Sequence, residues 1–322
     1  MLTKQLFDWK NPQYKIKPLI RHNGTCVVAE GELTLIAGPK KSLKSHVAYS
    51  IALAGLGAPA NNCIGFTSQK SNPSNPYRVI CIDTEQPRSR FSSNIKNMYN
   101  QGVDPEVFDN HFFPFHWKGA TPLDMRNTLP LVIEEYRTNI VIIDGIADFV
   151  DDINSISESR EVVELLMKCS EVYQCAIIAI IHFNPSSKKE RGHLGTILSN
   201  KTDGYISLTR TAGGVVLVAA DDGCRGEPFK PFTINYDSVT NWIYKSDTKT
   251  LSPVSTEELV RSIPRILQAS PTGELERSEI VHILAAEFRI DTTNVTTIDR
   301  AIKSAKERGL ITQAKPRAPY RL

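Results

Sequence analysis

The sequence predicts an α/β fold, with a mostly parallel sheet that carries helices on both faces. Its buried strands are expected in three apolar runs: YRVICIDTE, NIVIIDGIADF and CAIIAIIHFN. Helical spacing alternates with them at 45–56, 88–101 and 157–174. This alternation is typical of parallel sheets, because each parallel connection needs a crossover that is usually a helix.

The other segments fill in the same architecture. ELTLIA (32–37) and HFFPFHW read as strands, and TPLDMRNTLPLVIEEYR reads as a helix. Residues 57–76 are rich in Gly, Ser, Asn and Pro and predict a loop, with a short hairpin at 63–66. After residue 203, short strands with Gly turns and no helix between them predict antiparallel strands at the edge of the sheet.

A polar segment with a proline, 246–256, is expected to be a linker that separates two domains. The expected divisions are an N-terminal extension (1–20), a core domain (21–245) and a small C-terminal domain (257–322). In the last, helical stretches at 256–269, 276–288 and 293–309 precede the strand-like arms LIT and PYRL. Three helices and a two-stranded wing predict a winged helix, with Ile298, Ala301 and Ala305 on the core face of the third helix.

Composition favours a water-soluble globular protein. The chain has 41% hydrophobic and 23% charged residues, and its apolar runs are too short and interrupted to cross a bilayer. The N-terminal residues lack the apolar core of a signal peptide, so we expect a cytoplasmic protein without membrane contact. The six cysteines are scattered, and those in strand-like runs, Cys81 and Cys175, are expected to be buried free thiols.

Residues 38–45, GPKKSLKS, lie between a predicted strand and a predicted helix and match G-x-x-x-x-G-K-[ST] at every defined position except one. The pattern predicts a phosphate-binding loop in which Lys44 reaches the phosphates and Ser45 binds Mg²⁺. Leu43 stands where glycine is usual, and we expect it to have a negative φ. The candidate nucleotide-binding residues are Gly38, Pro39, Lys40, Lys41, Ser42, Leu43, Lys44 and Ser45.

Acidic residues end two of the predicted strands. Asp144 ends NIVIID and would hold Mg²⁺, and Glu85, in DTEQP, would orient the attacking water. Asp83 lies deeper, where a structural or magnesium-shell role fits better. Since the carboxyl ends of parallel strands share one edge of a sheet, these acids are expected near Lys44.

The order of GPKKSLKS, DTEQP, IIDG and IIHFN resembles the RecA-like P-loop ATPases, and specifically the RepA-like replicative helicases and related mobile-element ATPases. The resemblance covers about residues 20–245 and implies a RecA-like core that uses ATP and Mg²⁺. It implies that Glu85 is catalytic and that His182 senses the γ-phosphate, although a strand-end histidine is more often structural. It also implies a homo-oligomer of the kind that forms hexameric rings, in which Arg225 of a neighbouring subunit completes the site; a surface arginine is the alternative.

Basic residues predict contact with DNA at two places. Lys188, Lys189 and Arg191 follow the third buried strand, where RecA-like rings grip single strands, although such a run is also typical of a solvated loop. In the C-terminal domain, Arg300 and Lys303 on the third helix and Lys315 and Arg317 in the wing would contact duplex DNA.

These features together predict an ATP-dependent DNA motor or helicase-like ATPase of a plasmid, phage or transposon. Two alternatives stay open. The protein could be a nucleotide-regulated DNA-binding protein that does not translocate. It could also be a loader or scaffold that has lost hydrolysis, with Leu43 as the mark of that loss.

Overall fold

The computed structural model describes residues 10, 15–70, 75–184, 190–211, 215–220, 226–246, 256–288, 296–315 and 318–322. The chain divides into two compact units. The first comprises Met1–Leu208, Val218–Pro231 and Tyr236–Lys245, and the second comprises Thr209–Leu217, Phe232–Asn235 and Ser246–Leu322.

The strands and helices have the following bounds. The strands are β1 (Pro18–His22), β2 (Thr25–Ala29), β3 (Leu33–Gly38), β4 (Phe66–Ser68), β5 (Val79–Asp83), β6 (Phe112–His116), β7 (Ile140–Asp144), β8 (Ala176–His182), β9 (Gly204–Arg210), β10 (Val216–Ala220), β11 (Phe232–Asp237), β12 (Trp242–Ser246), β13 (Glu274–Leu275), β14 (Thr312–Gln313) and β15 (Tyr320–Arg321). The helices are α1 (Lys44–Gly55), α2 (Arg88–Tyr99), α3 (Pro105–His111), α4 (Pro122–Tyr136), α5 (Ile156–Tyr173), α6 (Gly192–Lys201), α7 (Thr256–Gln268), α8 (Arg277–Glu287) and α9 (Thr296–Glu307).

The main sheet has nine strands in the order β12-β11-β10-β9-β3-β8-β7-β5-β6. The six strands from β9 to β6 run parallel, and β3, β5 and β7 are buried along their whole length. Such strands need apolar side chains on both faces, which explains the near-continuous runs of Val, Ile and Leu. The predicted mostly parallel α/β sheet is therefore confirmed.

The edge of the sheet differs from the prediction at β9. This strand was expected to be antiparallel, but it pairs in parallel with β3, from Thr34↔Gly204 to Ala37↔Ser207. Helix α6 provides the crossover that a parallel pairing requires. Neighbouring strands beyond β9 are joined by short links, β9 to β10 and β11 to β12, and links of this length fit only antiparallel pairs.

A second sheet, order β2-β1-β4, was not predicted. The expected hairpin at 63–66 is wrong, because Ala60–Cys63 form a 3-10 helix and the following strand, β4, pairs antiparallel with β1. The chain turns between the two at Ile64 and Gly65, which have φ values of 49° and 90°. The partner strand is more than 40 residues away in sequence, so no local pattern indicates this pairing.

Polar side chains begin three helices of the first unit. Asp104, Thr121 and Ser155 accept hydrogen bonds from backbone N–H groups in the first turns of α3, α4 and α5. Caps of this kind stabilise a helix by about 1 kcal/mol, because they bond N–H groups that have no partner within the helix. Helix α1 begins differently, as described below.

The second unit contains helices α7, α8 and α9 and a three-stranded sheet in the order β13-β15-β14. Ile298, Ala301 and Ala305 of α9 are fully buried in its apolar cluster, as their spacing predicts. Elsewhere, Cys81 and Cys175 are buried free thiols, as expected. In the described part of the chain, no helix combines the length and apolarity needed to span a membrane.

Candidate nucleotide site

The segment between β3 and α1 forms a tight loop whose conformation depends on small residues. Ser42 Oγ donates to the backbone oxygen of Pro39 at 2.8 Å. A Cβ added to Gly38 would lie 2.8 Å from the backbone oxygen of Leu208 and 2.9 Å from Ser42 Oγ. The first residue of the predicted phosphate-binding loop therefore has to be glycine for the loop to close in this way.

Leu43 departs from its predicted conformation. Its φ is +66° and its ψ is 20°, so the expectation of a negative φ is wrong. The left-handed region costs a residue with a side chain about 1–2 kcal/mol, which is why glycine usually stands here. Leu43 also occupies the N-cap position of α1, where it makes no side-chain capping hydrogen bond. The loop therefore keeps a glycine-like backbone at the cost of local strain.

Lys44 is buried at the start of α1, with 5% of its surface exposed. Its Nζ donates to the backbone oxygens of Gly38 and Pro39, at 3.0 and 2.7 Å, and lies 3.0 Å from Nδ1 of His182. Burial lowers the pKa of Lys44 to about 8, although the charges of Asp144 and Glu85 act in the opposite direction. The ammonium group thus lies at the end of β3, between the loop and the end of β8.

His182 connects Lys44 to Glu85. Because the Lys44 ammonium group can only donate, Nδ1 of His182 accepts, and the ring proton lies on Nε2. Nε2 is 3.3 Å from Oε2 of Glu85 and donates to it. This hydrogen bond is the main reason that the pKa of Glu85 is lowered; burial acts in the opposite direction, and the charges of Lys44 and Lys40 add to the lowering. The three side chains form one continuous hydrogen-bonded chain.

Asp144 and Asp83 end the neighbouring strands β7 and β5 in register with each other. Both are buried, and Gln86 Nε2 lies between them, 2.6 Å from Oδ2 of Asp83 and 3.4 Å from Oδ2 of Asp144. Burial, together with the charges of Asp83 and Glu85, raises the pKa of Asp144 to about 7, while the Ser45 hydroxyl and Lys44 oppose the shift. The Ser45 hydroxyl and the Asp144 carboxylate provide two oxygens of the type that Mg²⁺ prefers.

The turn after β7 lies tightly against Glu85. Thr84 Oγ1 donates to Oδ2 of Asp148 at 2.7 Å and to the backbone oxygen of Gly145 at 3.0 Å. Gly145 has a φ of +110°, and a Cβ there would overlap Thr84 Oγ1 and lie 2.9 Å from Cγ of Glu85. This turn therefore fixes the backbone from which Glu85 extends.

A cleft of about 650 Å³ opens beside this chain of side chains. Glu85 and His182 line it, together with Lys40 of the loop and Arg191. Trp117 and Lys118 also line the cleft, and Lys118 Nζ donates to the backbone oxygen of Glu85 at 2.8 Å. The site can therefore admit a charged group next to Glu85.

The structure brings together Lys44, Ser45, Glu85, Asp144 and His182, all of which were candidates from the sequence. Arg191, a candidate for DNA contact, lies in the same cleft. Arg300, Lys303 and Lys315 are exposed residues of the second unit. The other basic candidates, Lys188, Lys189, Arg225 and Arg317, lie outside the described residues.

Several residues of the site were not predicted. Thr84 and Gln86 flank Glu85 in the motif DTEQP, so their position beside the candidate acid was an available signal. Asp148, Trp117 and Lys118 had no such signal, because they reach the site from the turn after β7 and the segment after β6.

Comparison with known proteins assigns the chain to a family. Among the curated proteins, none matches the chain. The family described as an AAA domain matches residues 4–188, which include the phosphate-binding loop, Glu85, Asp144 and His182. The match spans more than half of the 322 residues, and we conclude that the chain belongs to the AAA domain family.

Proposed function

We propose that this protein is an ATP-dependent motor that acts on DNA, of the kind found among RepA-like helicases of mobile elements. Membership of the AAA domain family supports an ATPase. The observation that carries the proposal is the hydrogen-bonded chain from Lys44 through His182 to Glu85. It joins an ammonium group and a carboxylate through one imidazole at the carboxyl edge of the sheet, which supports the proposed roles of Lys44 in binding phosphate and of Glu85 in orienting water.

The residues present fit a nucleotide with Mg²⁺. Ser45 and Asp144 would hold the ion, whose charge offsets that of the phosphates when it is bound. The raised pKa of Asp144 reflects a buried carboxylate near other acids, and a cation beside it would favour the ionised form. Lys44 would exchange its bonds to backbone oxygens for bonds to phosphate oxygens. Glu85, with its lowered pKa, would orient the attacking water.

We further propose that the second unit is a winged helix that contacts duplex DNA. Its three helices and three-stranded sheet support this assignment. Arg300 and Lys303 lie exposed on α9. Lys188, Lys189 and Arg317 are proposed to add contacts with DNA, and Arg225 is proposed to complete the site of a neighbouring subunit in a ring.

The test is ATP hydrolysis by the purified protein with and without single-stranded DNA. Lys44→Ala and Glu85→Gln should abolish turnover, and Glu85→Gln should still bind ATP, because the amide keeps the size of the carboxyl but not its charge. Lys96→Ala, an exposed lysine of α2, is the matched control and should behave like the wild type. Turnover that never exceeds the Lys44→Ala background would sink the motor proposal.

The strained Leu43 favours one alternative, a loader or scaffold that has lost hydrolysis, and ATP turnover above the Lys44→Ala background would exclude it. The other alternative is a nucleotide-regulated DNA-binding protein, which ATP turnover alone does not separate from a motor. Unwinding of a forked duplex distinguishes the two. A motor separates the strands in an ATP-dependent reaction, whereas a regulated binder retains the fork intact and changes only its affinity when ATP is added.

A further inference from the structure

Arg191 lies beside the chain of side chains that joins Lys44 to Glu85. Its backbone N–H donates to the backbone oxygen of His182 at 3.0 Å, so its Cα is held next to the end of β8. Its side chain lines the cleft that Lys40, Glu85 and His182 also line. In the sequence, Arg191 follows Lys188 and Lys189 and is indistinguishable from a DNA-contacting residue of the same loop.

The backbone around Arg191 is fixed on both sides. Glu190 accepts a hydrogen bond from the hydroxyl of Tyr205, on β9. Gly192 has a φ of +71°, and a Cβ there would lie 2.6 Å from the backbone oxygen of Ile153. The backbone of Arg191 is therefore held in place beside the cleft, and a cation placed near developing negative charge stabilises it.

The charges of the cleft leave Arg191 available for an anion. Its side chain is exposed, and among the described residues its guanidinium forms no ion pair. Glu85 is bonded to His182, and Asp148 accepts from Thr84. The acids that line the cleft are Glu85, Asp148 and Asp151, and the cations are Lys40, Lys118 and Arg191. Without Arg191 the acids outnumber the lysines by three to two, so Arg191 offsets charge that would repel a phosphate next to Glu85.

We propose that Arg191 is a catalytic residue of its own subunit, and that its guanidinium binds oxygens of the γ-phosphate rather than DNA. The inference rests on the proposed ATPase function. In the reaction, the oxygen of water bonds to the γ-phosphorus and the bond from that phosphorus to the bridging oxygen of ADP breaks. The water proton goes to the Glu85 carboxylate, and ADP leaves with the bonding electrons. Arg191 donates N–H groups to the transferred oxygens as negative charge develops on them in the transition state.

The experiment compares Arg191→Ala and Arg191→Lys with the wild type. Lys201→Ala, an exposed lysine at the other end of α6, is the matched control. We expect Arg191→Ala to lower kcat without DNA by about 100-fold, because removal of one transition-state donor has an effect of this size. KM for ATP should change little. The kcat of Arg191→Lys should lie between those of Arg191→Ala and the wild type, since lysine keeps the charge but loses the planar fork.

Two further measurements separate catalysis from structure and from DNA binding. Arg191→Ala should lose affinity for ADP with aluminium fluoride, an analogue of the transferred phosphoryl group, while it keeps its affinity for ATP. Its affinity for a fluorescent oligothymidine should equal that of the control. If the alanine variant has a lowered Tm, the lysine variant decides, and it should show reduced kcat at an unchanged Tm.

Three outcomes of these kcat measurements would overturn the inference. Wild-type kcat in both Arg191 variants, with weakened oligothymidine binding, assigns the residue to DNA and leaves the ATPase proposal intact. Equal loss of kcat in Lys201→Ala would point to damage to α6 rather than to lost phosphate contact. Absence of hydrolysis in the wild type would remove the proposed function itself, and this inference with it.

Discussion

Replacement of Gly145 by alanine tests whether the turn after β7 fixes Glu85. Gly145 has a φ of +110°, and an added Cβ would overlap Thr84 Oγ1 and approach Cγ of Glu85. The backbone term for a residue with a side chain is about 1–2 kcal/mol. Relief of the overlap requires movement of packed atoms, which adds about 1–3 kcal/mol. We therefore expect Gly145→Ala to lower the free energy of unfolding by about 2–5 kcal/mol.

Gly119→Ala is the matched control, because it isolates the backbone term. Gly119 also lines the cleft and has a φ of +91°, but nothing lies within 4 Å of the added Cβ. Urea unfolding followed by circular dichroism should show Gly145→Ala as the less stable variant by roughly 1–3 kcal/mol. It should also have the lower kcat, because Glu85 is displaced.

A double-mutant cycle tests whether contact with Thr84 Oγ1 causes the loss of stability in Gly145→Ala. Thr84→Ala removes the hydroxyl that the new methyl group would meet, so Gly145→Ala should cost less in this background by about 0.5–3 kcal/mol. Equal stability of Gly145→Ala and Gly119→Ala, with no coupling to Thr84, would refute the reasoning.

Three other predictions concern single sites. Burial raises the pKa of Asp144 to about 7, so the folded state retains a proton that the unfolded state loses above about pH 4. The free energy of unfolding therefore falls as pH rises from about 4 to about 7. Asp144→Asn should stabilise the protein at pH 8 by roughly 2–4 kcal/mol, and it should abolish hydrolysis. A variant no more stable than the wild type at pH 8 contradicts this. Because Leu43 has a left-handed backbone, Leu43→Gly should be more stable than Leu43→Ala by about 1 kcal/mol in urea unfolding, and the reverse order would be inconsistent with that backbone. Joint replacement of Arg300 and Lys303 by alanine should make the slope of log affinity for duplex DNA against log salt concentration shallower, by the equivalent of roughly two phosphate contacts. Fluorescence anisotropy measures the affinity, and an unchanged slope would exclude α9 from the contact.

The sequence predicts most of the parallel sheet and its strand-end side chains because both follow from simple periodicities. Buried parallel strands are apolar on both faces, so their runs are continuous and their ends are visible as the first charged or polar residue. Asp144 and His182 were located in this way, and Glu85 lies two residues beyond Asp83, the first charged residue after the apolar run of β5. Parallel strands then bring their carboxyl ends to one edge, which explains why the three meet.

Other features depend on contacts that local patterns do not contain. The φ of Leu43 is imposed by the closure of the loop, and its side chain would by itself favour the opposite sign. The pairing of β4 with β1 joins segments that are distant in sequence. Arg191 reads as part of a basic loop until its N–H is seen to bond to the backbone of His182. In each case a tertiary contact overrides the local preference.

Helix α1 begins without a side-chain cap, which lowers the stability of its first turn. Three other helices of the first unit begin with a side chain that bonds their N–H groups, but Leu43 contributes no such oxygen. The first turn of α1 therefore lacks about 1 kcal/mol of stabilisation that a cap would provide. A phosphate that accepts hydrogen bonds from these N–H groups would replace the missing cap. Binding of the ligand would therefore also stabilise the first turn of the helix. The N-terminal turn of α1 should therefore be less protected from amide hydrogen exchange without nucleotide than with it.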